Sequence, residues 1–331
     1  DTIYGNALDN MLDGGAGNDE LQDGTGSDTI LGGAGNDVIF ISVDSDNDLF
    51  DGGAGTLDVL DASATSDGLI IDLSNNQIIG YGTDSITGIE IIRASSGDDT
   101  IIGNAADNSI EGNAGADTID GGAGDDTLLG NGDNDIISGG VGNDVIDGGT
   151  GTNTIDYSYD AFGVTVDLNV GTATESSGDT DTISNIQNVI GSASVDDITG
   201  NAVANVIDAG AGADTVYGLA GADVITGGAG NDVLDGGDDA DTIYGGDDND
   251  TLIGGAGDDT LYGGDGDDSF DGGLGDDTFD GGLGRDSMSF AGASVGVDIT
   301  LNDAGAFIAV TFDGQTDYIK DLEVIEGTSF N

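Results

Sequence analysis

The sequence contains no cysteine, histidine, proline or tryptophan in its 331 residues. Without cysteine, the chain has no disulfide bonds, no thiolate zinc sites and no cysteine nucleophiles. Without histidine, it also lacks the side chain that most often acts as a general acid or base. These absences exclude the commonest routes to catalysis and to covalent stapling.

Positive charge is almost as scarce. The chain carries 66 Asp and Glu residues but only three cations, Arg93, Arg285 and Lys320, for a formal charge of −63. Nucleic acid is excluded as a partner, because phosphate binding needs a basic surface. Self-repulsion on this scale opposes any compact state until cations neutralise it. Carboxylate and carbonyl oxygens suit hard cations such as Ca²⁺, so we expect calcium as the partner.

Long apolar segments are missing too. No apolar run approaches the ~18 residues of a membrane helix, and no positively charged leader precedes an apolar stretch. We therefore expect no membrane insertion and no Sec-type signal peptide in this sequence.

What the sequence has instead is a nine-residue repeat. Residues 227–235 read GGAGNDVLD, residues 254–262 read GGAGDDTLY and residues 272–280 read GGLGDDTFD. An apolar residue follows two positions after the aspartate at position 6, as Leu234 follows Asp232. Position 6 recurs every nine residues in three blocks: Asp1, Asn10, Asp19, Asp28 and Asp37; Asp99, Asn108, Asp117, Asp126, Asp135, Asp144 and Asn153; and Asp196, Asn205, Asp214, Asp223, Asp232, Asp241, Asp250, Asp259, Asp268, Asp277 and Asp286.

This repeat resembles the RTX (repeats-in-toxin) calcium-binding family over roughly two thirds of the chain. The resemblance implies an all-β fold, a right-handed parallel β-roll in which each nonapeptide forms a six-residue turn and a short strand, and two nonapeptides form one coil. The residues agree with that fold. Glycines at positions 1, 2 and 4 permit the left-handed dihedral angles of tight turns. Position 8 points inward, whereas positions 7 and 9 point outward.

Turns on the same side of such a roll are 18 residues apart and stack at about 4.8 Å. The aspartates at position 6 then form columns, and each gap between stacked turns can hold one Ca²⁺. The family resemblance implies that turn carbonyls complete each site. The predicted metal ligands are Asp1, Asp19, Asp28, Asp37, Asp99, Asp117, Asp126, Asp135, Asp144, Asp196, Asp214, Asp223, Asp232, Asp241, Asp250, Asp259, Asp268, Asp277 and Asp286.

Counting the gaps predicts on the order of 15 calcium ions, each bound weakly as in extracellular modules. Sites that contain Asn10, Asn108, Asn153 or Asn205 should be weaker. One buried Leu or Ile contributes ~1.5–3 kcal/mol, whereas ordering nine backbone residues costs ~1–2 kcal/mol each. We therefore expect an unfolded chain without calcium and a cooperative transition with it. The alternative, a flexible acidic linker, has no need of an apolar residue in phase with each aspartate.

Three segments break the period. We divide the chain into repeat blocks at residues 1–51, 94–151 and 191–284, and into β-rich spacers, packed on the ends of the rolls, at residues 52–93, 152–190 and 285–331. Each spacer contains an alternating strand, with inward residues Leu69, Ile71 and Leu73; Val164, Val166 and Leu168; or Val295, Val297 and Ile299. In each spacer, Asp84, Asp181 or Asp317 could add a calcium ligand, together with Glu90, Gln187 or Glu323. We favour the interpretation that these aspartates are solvated turn residues.

The biological role is less defined than the chemistry. Because nearly every carboxylate has an equivalent copy in the next coil, we single out no catalytic residue and predict that this segment is not an enzyme. The repeat begins and ends out of phase with the chain, so we expect a part of a longer bacterial protein. The first hypothesis is a folding and secretion module that leaves the cell unfolded by type I secretion and folds in extracellular calcium. The alternative is a structural or adhesive scaffold at the cell surface.

Two surface features suggest narrower partners. Tyr244 and Tyr262 lie 18 residues apart at position 9 and could bind carbohydrate, although plain cross-strand packing is the commoner role of such pairs. Some calcium-dependent ice-binding proteins resemble this fold but present Thr and Asn in each turn. Position 3 here is mostly alanine, for example Ala229 and Ala256, which argues against ice binding.

Overall fold

The computed structural model describes residues 1–80, 82–175, 177–289, 308–312, 315–322 and 324–326. These described residues form 36 strands and no helix. The first strands along the chain are β1 (Thr2–Tyr4), β2 (Met11–Ala16), β3 (Glu20–Gln22), β4 (Thr29–Ala34), β5 (Val38–Phe40), β6 (Leu49–Ala54), β7 (Val59–Asp61), β8 (Ile70–Asp72), β9 (Gln77–Ile79), β10 (Thr83–Thr87), β11 (Ile91–Arg93), β12 (Thr100–Asn104), β13 (Ser109–Asn113), β14 (Thr118–Gly122), β15 (Thr127–Asn131), β16 (Ile136–Ser138), β17 (Val145–Asp147) and β18 (Thr154–Asp156).

The later strands are β19 (Val164–Asp167), β20 (Thr172–Glu175), β21 (Thr180–Ser184), β22 (Asn188–Ile190), β23 (Asp197–Thr199), β24 (Val206–Asp208), β25 (Thr215–Ala220), β26 (Val224–Ala229), β27 (Val233–Asp238), β28 (Thr242–Asp247), β29 (Thr251–Ala256), β30 (Thr260–Asp265), β31 (Ser269–Leu274), β32 (Thr278–Leu283), β33 (Ser287–Ser289), β34 (Ile308–Phe312), β35 (Gln315–Lys320) and β36 (Val324–Glu326). They belong to two compact units. Unit 1 comprises Asp1–Ile155 with Asp179–Ile186, and unit 2 comprises Asp156–Gly178 with Gln187–Asn331.

In unit 1, alternate strands along the chain belong to different sheets. One sheet is parallel throughout, in the order β1–β3–β5–β7–β11–β13–β15–β17–β21. The other contains the parallel runs β2–β4–β6–β10 and β8–β12–β14–β16–β18, and the antiparallel strand β9 joins β10 to β8. Two nonapeptides therefore make one coil, as predicted.

Unit 2 has the same construction. Its first sheet runs in parallel from β19 through β23, β25, β27, β29, β31 and β33 to β36, with β20 antiparallel to β19. Its second sheet runs from β22 through β24, β26, β28, β30 and β32 to β35, with β34 antiparallel to β35. The prediction of an all-β, parallel β-roll is confirmed.

The core of each roll consists of one apolar side chain per strand, at position 8. Ile225, Leu234 and Ile243 are fully buried, whereas Val224 and Val233, at position 7, are 37% and 39% exposed. This alternation follows from the pleat of a strand, which turns successive side chains to opposite faces. Each coil thus buries only two large side chains, or about 3–6 kcal/mol of apolar burial.

The strands of the regular part of unit 2 are longer than the repeat predicts. Pairing between β27 and β29 continues past the apolar position to Gly237↔Gly255 and Asp238↔Ala256. Positions 1 to 3 of the turn are therefore hydrogen-bonded as strand, and strands β25 to β32 each have six residues. The observed turn is therefore shorter than the predicted six residues. Glycine backbones allow this, because they can approach one another as closely as hydrogen-bonded strand pairing requires.

The segment 52–93 lies within the stack of unit 1 and not on its end. Leu60 of β7 pairs in register with Ile39 on one side and with Ile92 on the other. The extra residues leave the coil between these strands and fold into the antiparallel β8–β9–β10 arrangement. Its alternating strand is as predicted, with Leu69 and Ile71 buried.

The other two spacers also contribute strands to the sheets. In unit 1, β21 pairs in parallel with β17, and in unit 2, β19 pairs in parallel with β23. Near the C-terminus, Ile319 of β35 pairs with Phe279 of β32. The predicted strand residues Val295, Val297 and Ile299 lie outside the described residues. The division of the chain into repeat blocks and spacers stays a prediction, as does capping of the rolls by the segments 152–190 and 285–331.

Candidate metal sites

The aspartates at position 6 form hydrogen-bonded columns. In unit 2, the Asp232 N–H donates to Oδ1 of Asp250 over 2.9 Å, and the Asp250 N–H donates to Oδ1 of Asp268 over 2.8 Å. The second column repeats this pattern from Asp241 to Asp259 over 2.8 Å. One carboxylate oxygen of each aspartate therefore locks two coils together at a separation of 18 residues.

The second carboxylate oxygen of most column aspartates is buried and has no hydrogen-bond donor among the described residues. This Oδ2 atom belongs to Asp19, Asp28, Asp37, Asp117, Asp126, Asp135, Asp144, Asp214, Asp223, Asp232, Asp241, Asp250, Asp259 and Asp268. Buried polar atoms in proteins are nearly always hydrogen-bonded, and a buried unpaired charge costs several kcal/mol. A regular series of such atoms indicates that a ligand satisfies them.

The glycine at position 1 shows what faces these oxygens. A Cβ atom on Gly121 would lie 2.5 Å from Oδ2 of Asp126 and 2.5 Å from the carbonyl oxygen of Gly139 in the next coil. A Cβ on Gly254 would likewise lie 2.5 Å from Oδ2 of Asp259 and 2.7 Å from the carbonyl oxygen of Gly272. A carboxylate oxygen and a carbonyl oxygen thus both lie beside the position 1 glycine, and both are acceptors. A proton or a cation placed between them would satisfy both.

The prediction that the glycine at position 1 adopts left-handed dihedral angles is wrong. In the turn 227–232, Gly228 and Gly230 have φ angles of 107° and 125°, but Gly227 does not have a positive φ. Positions 2 and 4 have left-handed backbone geometry, which favours glycine, although Leu219 and Asp239 also adopt it there. Position 1 favours glycine because a side chain there crowds the carboxylate of its own turn, although Ala94 and Ala209 occupy this position in two turns.

The donor set fits calcium. Ca²⁺ takes 6–8 oxygen ligands from carboxylates and backbone carbonyls and tolerates irregular geometry. No group of three acidic side chains in the described part of the chain could hold a metal by itself. Two stacked turns would therefore supply their carboxylates together with turn carbonyls, and a bound ion would provide the positive charge that the oxygens lack.

Burial makes these carboxylates hard to ionise in a metal-free roll. It raises the pKa of Asp117, Asp126, Asp241 and Asp250 to about 7, with neighbouring carboxylates adding to the effect. Transfer of a charge from water to a low-dielectric interior always favours the neutral form. A proton on Oδ2 can bridge to the facing carbonyl, so protons and calcium compete for the same place.

The predicted ligands are brought together as expected, with one exception. Every predicted aspartate except Asp1 is at most 3% exposed, and Asp1 is exposed. Asp99 and Asp196 differ in another way, because Ser95 and Ser192 donate hydrogen bonds to both of their carboxylate oxygens. Calcium ligation by the predicted residues stays a prediction.

Two of the asparagines at position 6, Asn153 and Asn205, supply a donor where aspartate has none. The Asn205 Nδ2 group donates to the Gln187 carbonyl over 2.6 Å, and the Asn153 Nδ2 group donates to the Asn185 carbonyl over 3.0 Å. Each of these two amides therefore satisfies a backbone carbonyl without a cation, whereas the buried Asn108 Nδ2 group has no acceptor among the described residues. This contact supports the expectation that turns containing these asparagines bind calcium more weakly.

Several residues belong to the columns although their spacing in the sequence does not follow the nine-residue period. Asp28 donates to Asp48 at a separation of 20 residues, and Asp37 donates to Asp58 at a separation of 21 residues. The columns then continue, through larger insertions, to Asp84 and Glu90. Each of these acidic residues stands two positions before a buried apolar residue, as Asp58 stands before Leu60. That local pattern, without the period, would have identified them.

Two aspartates interpreted as solvated turn residues also belong to the columns. Asp181 and Asp317 are 1% and 2% exposed, and they accept hydrogen bonds from the N–H groups of Asp144 and Asp277. The favoured interpretation was wrong for both, because each aspartate lies within a strand, β21 or β35, that continues a sheet. Gln187 contributes its backbone carbonyl, which accepts a hydrogen bond from Asn205 Nδ2. Glu323 lies outside the described residues.

The tyrosine pair on the outer face of unit 2 is a cross-strand stack. The ring centroids of Tyr244 and Tyr262 lie 5.0 Å apart with an interplanar angle of 6°. Each ring therefore covers one face of the other, which is the ordinary packing of aromatic residues on adjacent strands. Packing accounts for both residues, and a carbohydrate partner remains an untested prediction.

Comparison with known families agrees with this geometry. The family model of the RTX calcium-binding nonapeptide repeat matches residues 4–39, 78–119, 93–128, 120–155, 190–225, 217–252 and 253–288. The chain belongs to this family, and its β-roll is a structural fold. None of the curated proteins compared with the chain matches it. In the part of the chain that the structure describes, no helix is long and apolar enough to cross a bilayer.

Proposed function

We propose that this chain is a calcium-dependent folding module of a larger exported protein. The observation that carries the proposal is the series of buried Oδ2 atoms that face turn carbonyls without a hydrogen-bond donor. The whole chain also needs bound cations, because its formal charge is −63 and it has only three cationic side chains. Calcium would satisfy both, because one ion between stacked turns neutralises two carboxylates and ligates the carbonyls beside them.

Folding and binding are then a single event. Each coil buries little apolar surface, and two carboxylates per coil resist ionisation in its interior. Anything that binds only the folded state stabilises it in proportion to the logarithm of its concentration. RTX repeats are typical of secreted bacterial proteins. A chain that is unfolded in low calcium and folded in extracellular calcium suits type I secretion, and we place this module outside the cell. We keep the proposal of about 15 bound ions, which the stacking of the columns supports.

A calcium titration tests this function. Metal-free protein at pH 7.5 should show the far-ultraviolet circular dichroism of a disordered chain. Millimolar calcium should convert it to β structure in a cooperative transition, and excess chelator should reverse the change. β structure that persists unchanged in chelator at this pH would contradict the proposal. Magnesium at the same concentration is the control, because it demands stricter octahedral geometry than these turns offer.

A second candidate function is a structural scaffold at the cell surface. It is favoured by one observation: the stack of unit 1 continues through the insertion at 62–89, with Leu60 between Ile39 and Ile92. A scaffold needs a stiff rod, whereas a secretion module needs only conditional folding. Fusion to an exported reporter separates the two. Replacing the column aspartates should impair appearance of folded reporter outside the cell if the module drives export, and should leave export intact if the chain is a scaffold. The absence of catalysis in this segment stays a prediction.

A further inference from the structure

The segment that the family match passes over, residues 40–77, contains a turn of the same architecture as the repeats. Residues Gly52–Asp58 read GGAGTLD, which is the repeat turn with Leu57 inserted before the aspartate. Leu57 is 53% exposed, so the extra residue points to solvent and leaves the rest of the turn in place. Strands β4 and β6 pair in register up to Gly33↔Gly53 and Ala34↔Ala54. The irregular turn 52–58 therefore stacks on the regular turn Gly32–Asp37.

The carboxylates of these two turns have the arrangement of the columns. The Asp37 N–H donates to Oδ1 of Asp58 over 2.8 Å. Asp37 and Asp58 are 0% and 1% exposed. The Oδ2 atoms of both aspartates are buried and have no hydrogen-bond donor within the described ranges.

The oxygen atoms of each turn face those of the other. A Cβ atom on Gly55 would lie 2.6 Å from Oδ2 and 2.7 Å from Oδ1 of Asp58, and would also strike the carbonyl oxygen of Gly35. A Cβ on Gly32 would lie 2.5 Å from Oδ2 of Asp37 and would strike the carbonyl oxygen of Gly52. Beside each of these glycines, a carboxylate oxygen of one turn and a carbonyl oxygen of the other turn lie next to the same point, and both oxygens are acceptors.

We infer that turns 32–37 and 52–58 together hold one divalent cation of the calcium type, with Asp37 and Asp58 as its carboxylate ligands and turn carbonyls as the others. An all-oxygen donor set with two carboxylates selects a hard cation. This site lies outside the nonapeptide periodicity. The inference rests on the proposed function, since it extends calcium binding between stacked turns into the insertion.

The stack of full turns ends at this site. The next acidic residue of the column, Glu90, accepts the Asp58 N–H over 3.0 Å. It follows Gly88 by two residues, so its turn is shorter than the repeat turn and offers the Gly88 carbonyl, which faces Gly52, without a full set of turn positions. The inference is therefore limited to one additional ion between Asp37 and Asp58.

Counting bound calcium by native mass spectrometry tests the inference. The full chain is folded in calcium, transferred to a volatile buffer that contains calcium, and compared with three variants. Asp58→Asn keeps the shape of the side chain and removes its charge. Gly55→Ala keeps both carboxylates and places a methyl group beside Asp58. Each should bind one calcium ion fewer than the wild type. Asp13→Asn, an exposed position outside the columns, is the matched control and should bind the wild-type number.

The outcomes separate this inference from the proposed function. A wild type that binds no calcium would overturn the calcium-binding function itself. A wild type that binds many ions, with unchanged counts in both Asp58→Asn and Gly55→Ala, would overturn this site alone and make Asp58 a structural residue. Circular dichroism in calcium reports whether each variant folds. If Asp58→Asn does not fold, the count for Gly55→Ala decides.

Discussion

The regular stack β25–β32 in unit 2 and the interrupted stretch β6–β11 in unit 1 both contain hydrogen-bonded columns of acidic residues. They differ in the number of residues that separate successive column members in the sequence. In the regular stack, column aspartates are 18 residues apart, as in Asp232 and Asp250. In the interrupted stretch, the corresponding separations are 21 residues between Asp37 and Asp58 and 32 residues between Asp58 and Glu90. Hydrogen-bond lengths are nevertheless similar, at 2.8–3.0 Å. The roll therefore places an aspartate, glutamate or asparagine two positions before a buried apolar residue, and the number of residues between such pairs varies.

The largest expected loss of stability comes from substitutions in the core. If the two regions respond differently to such substitutions, they are not equivalent parts of the roll. Leu252→Ala in the regular stack and Leu60→Ala in the interrupted stretch each remove a fully buried side chain. Both should lower the free energy of unfolding in saturating calcium by about 2–5 kcal/mol, measured by urea titration. Val233→Ala, at a half-exposed position, should cost well under half as much. A negligible cost for Leu60→Ala would show that the interruption is not part of the stack.

The columns should respond next most strongly. Asp250→Asn and Asp48→Asn each keep an Oδ1 acceptor for a backbone N–H group but remove its charge, so each should cost about 1–1.5 kcal/mol in calcium, the difference between a charged and a neutral hydrogen bond. Both should raise the calcium concentration at the midpoint of folding. Asp271→Asn, an exposed carboxylate on the outer face of β31, should leave the midpoint unchanged. A response to Asp250→Asn alone would confine the metal columns to the regular repeats.

Acid should partly replace calcium. Burial raises the folded pKa of Asp117 and Asp241 to about 7 from an ordinary value of 3.8. The folded state therefore binds more protons than the unfolded state between these values, and its stability falls as pH rises from about 4 to about 7. Resin-treated, metal-free protein should show more β structure at pH 4.5 than at pH 8. Equal disorder at both values would mean that the carboxylates are already ionised in the roll.

The smallest effect concerns charges on the outer face of unit 1. Arg93 lies between Asp61 and Glu111, with N–O distances of 3.4 Å and 3.8 Å, and its side chain is 41% exposed. Because exposed ion pairs contribute little, Arg93→Gln should lower stability by no more than about 1 kcal/mol. The difference from wild type should shrink in 0.5 M salt. A cost of several kcal/mol would show that the interruption depends on its surface charges.

The sequence allowed the regular part of the fold to be predicted because two coupled positions repeat there. Asp232 and Leu234 specify the buried carboxylate and the core residue of one strand, and eleven such turns in phase leave little choice of architecture. Asp48, Asp58 and Asp181 were not predicted as ligands because insertions change the separation between coils. Nothing in their own neighbourhood is unusual, since each precedes an apolar residue by two positions.

Other features depend on contacts between coils and could not be inferred from one repeat. The preference for glycine at position 1 arises because Gly121 faces Asp126 of its own turn and the Gly139 carbonyl of the next coil. The long strands arise because glycine backbones pair across adjacent coils, as in Gly237↔Gly255. Both are consequences of stacking, which brings residues 18 positions apart into contact.

The most direct test of the central claim is hydrogen exchange measured strand by strand at pH 7.5, with and without calcium. We expect rapid exchange of β25–β32 and of β6–β11 in metal-free protein, and strong protection of both once millimolar calcium is added. Protection in the regular stack without calcium would contradict the claim that the buried carboxylates need a cation. Protection that never develops in β6–β11 would contradict the claim that the interruption belongs to the calcium-stabilised roll.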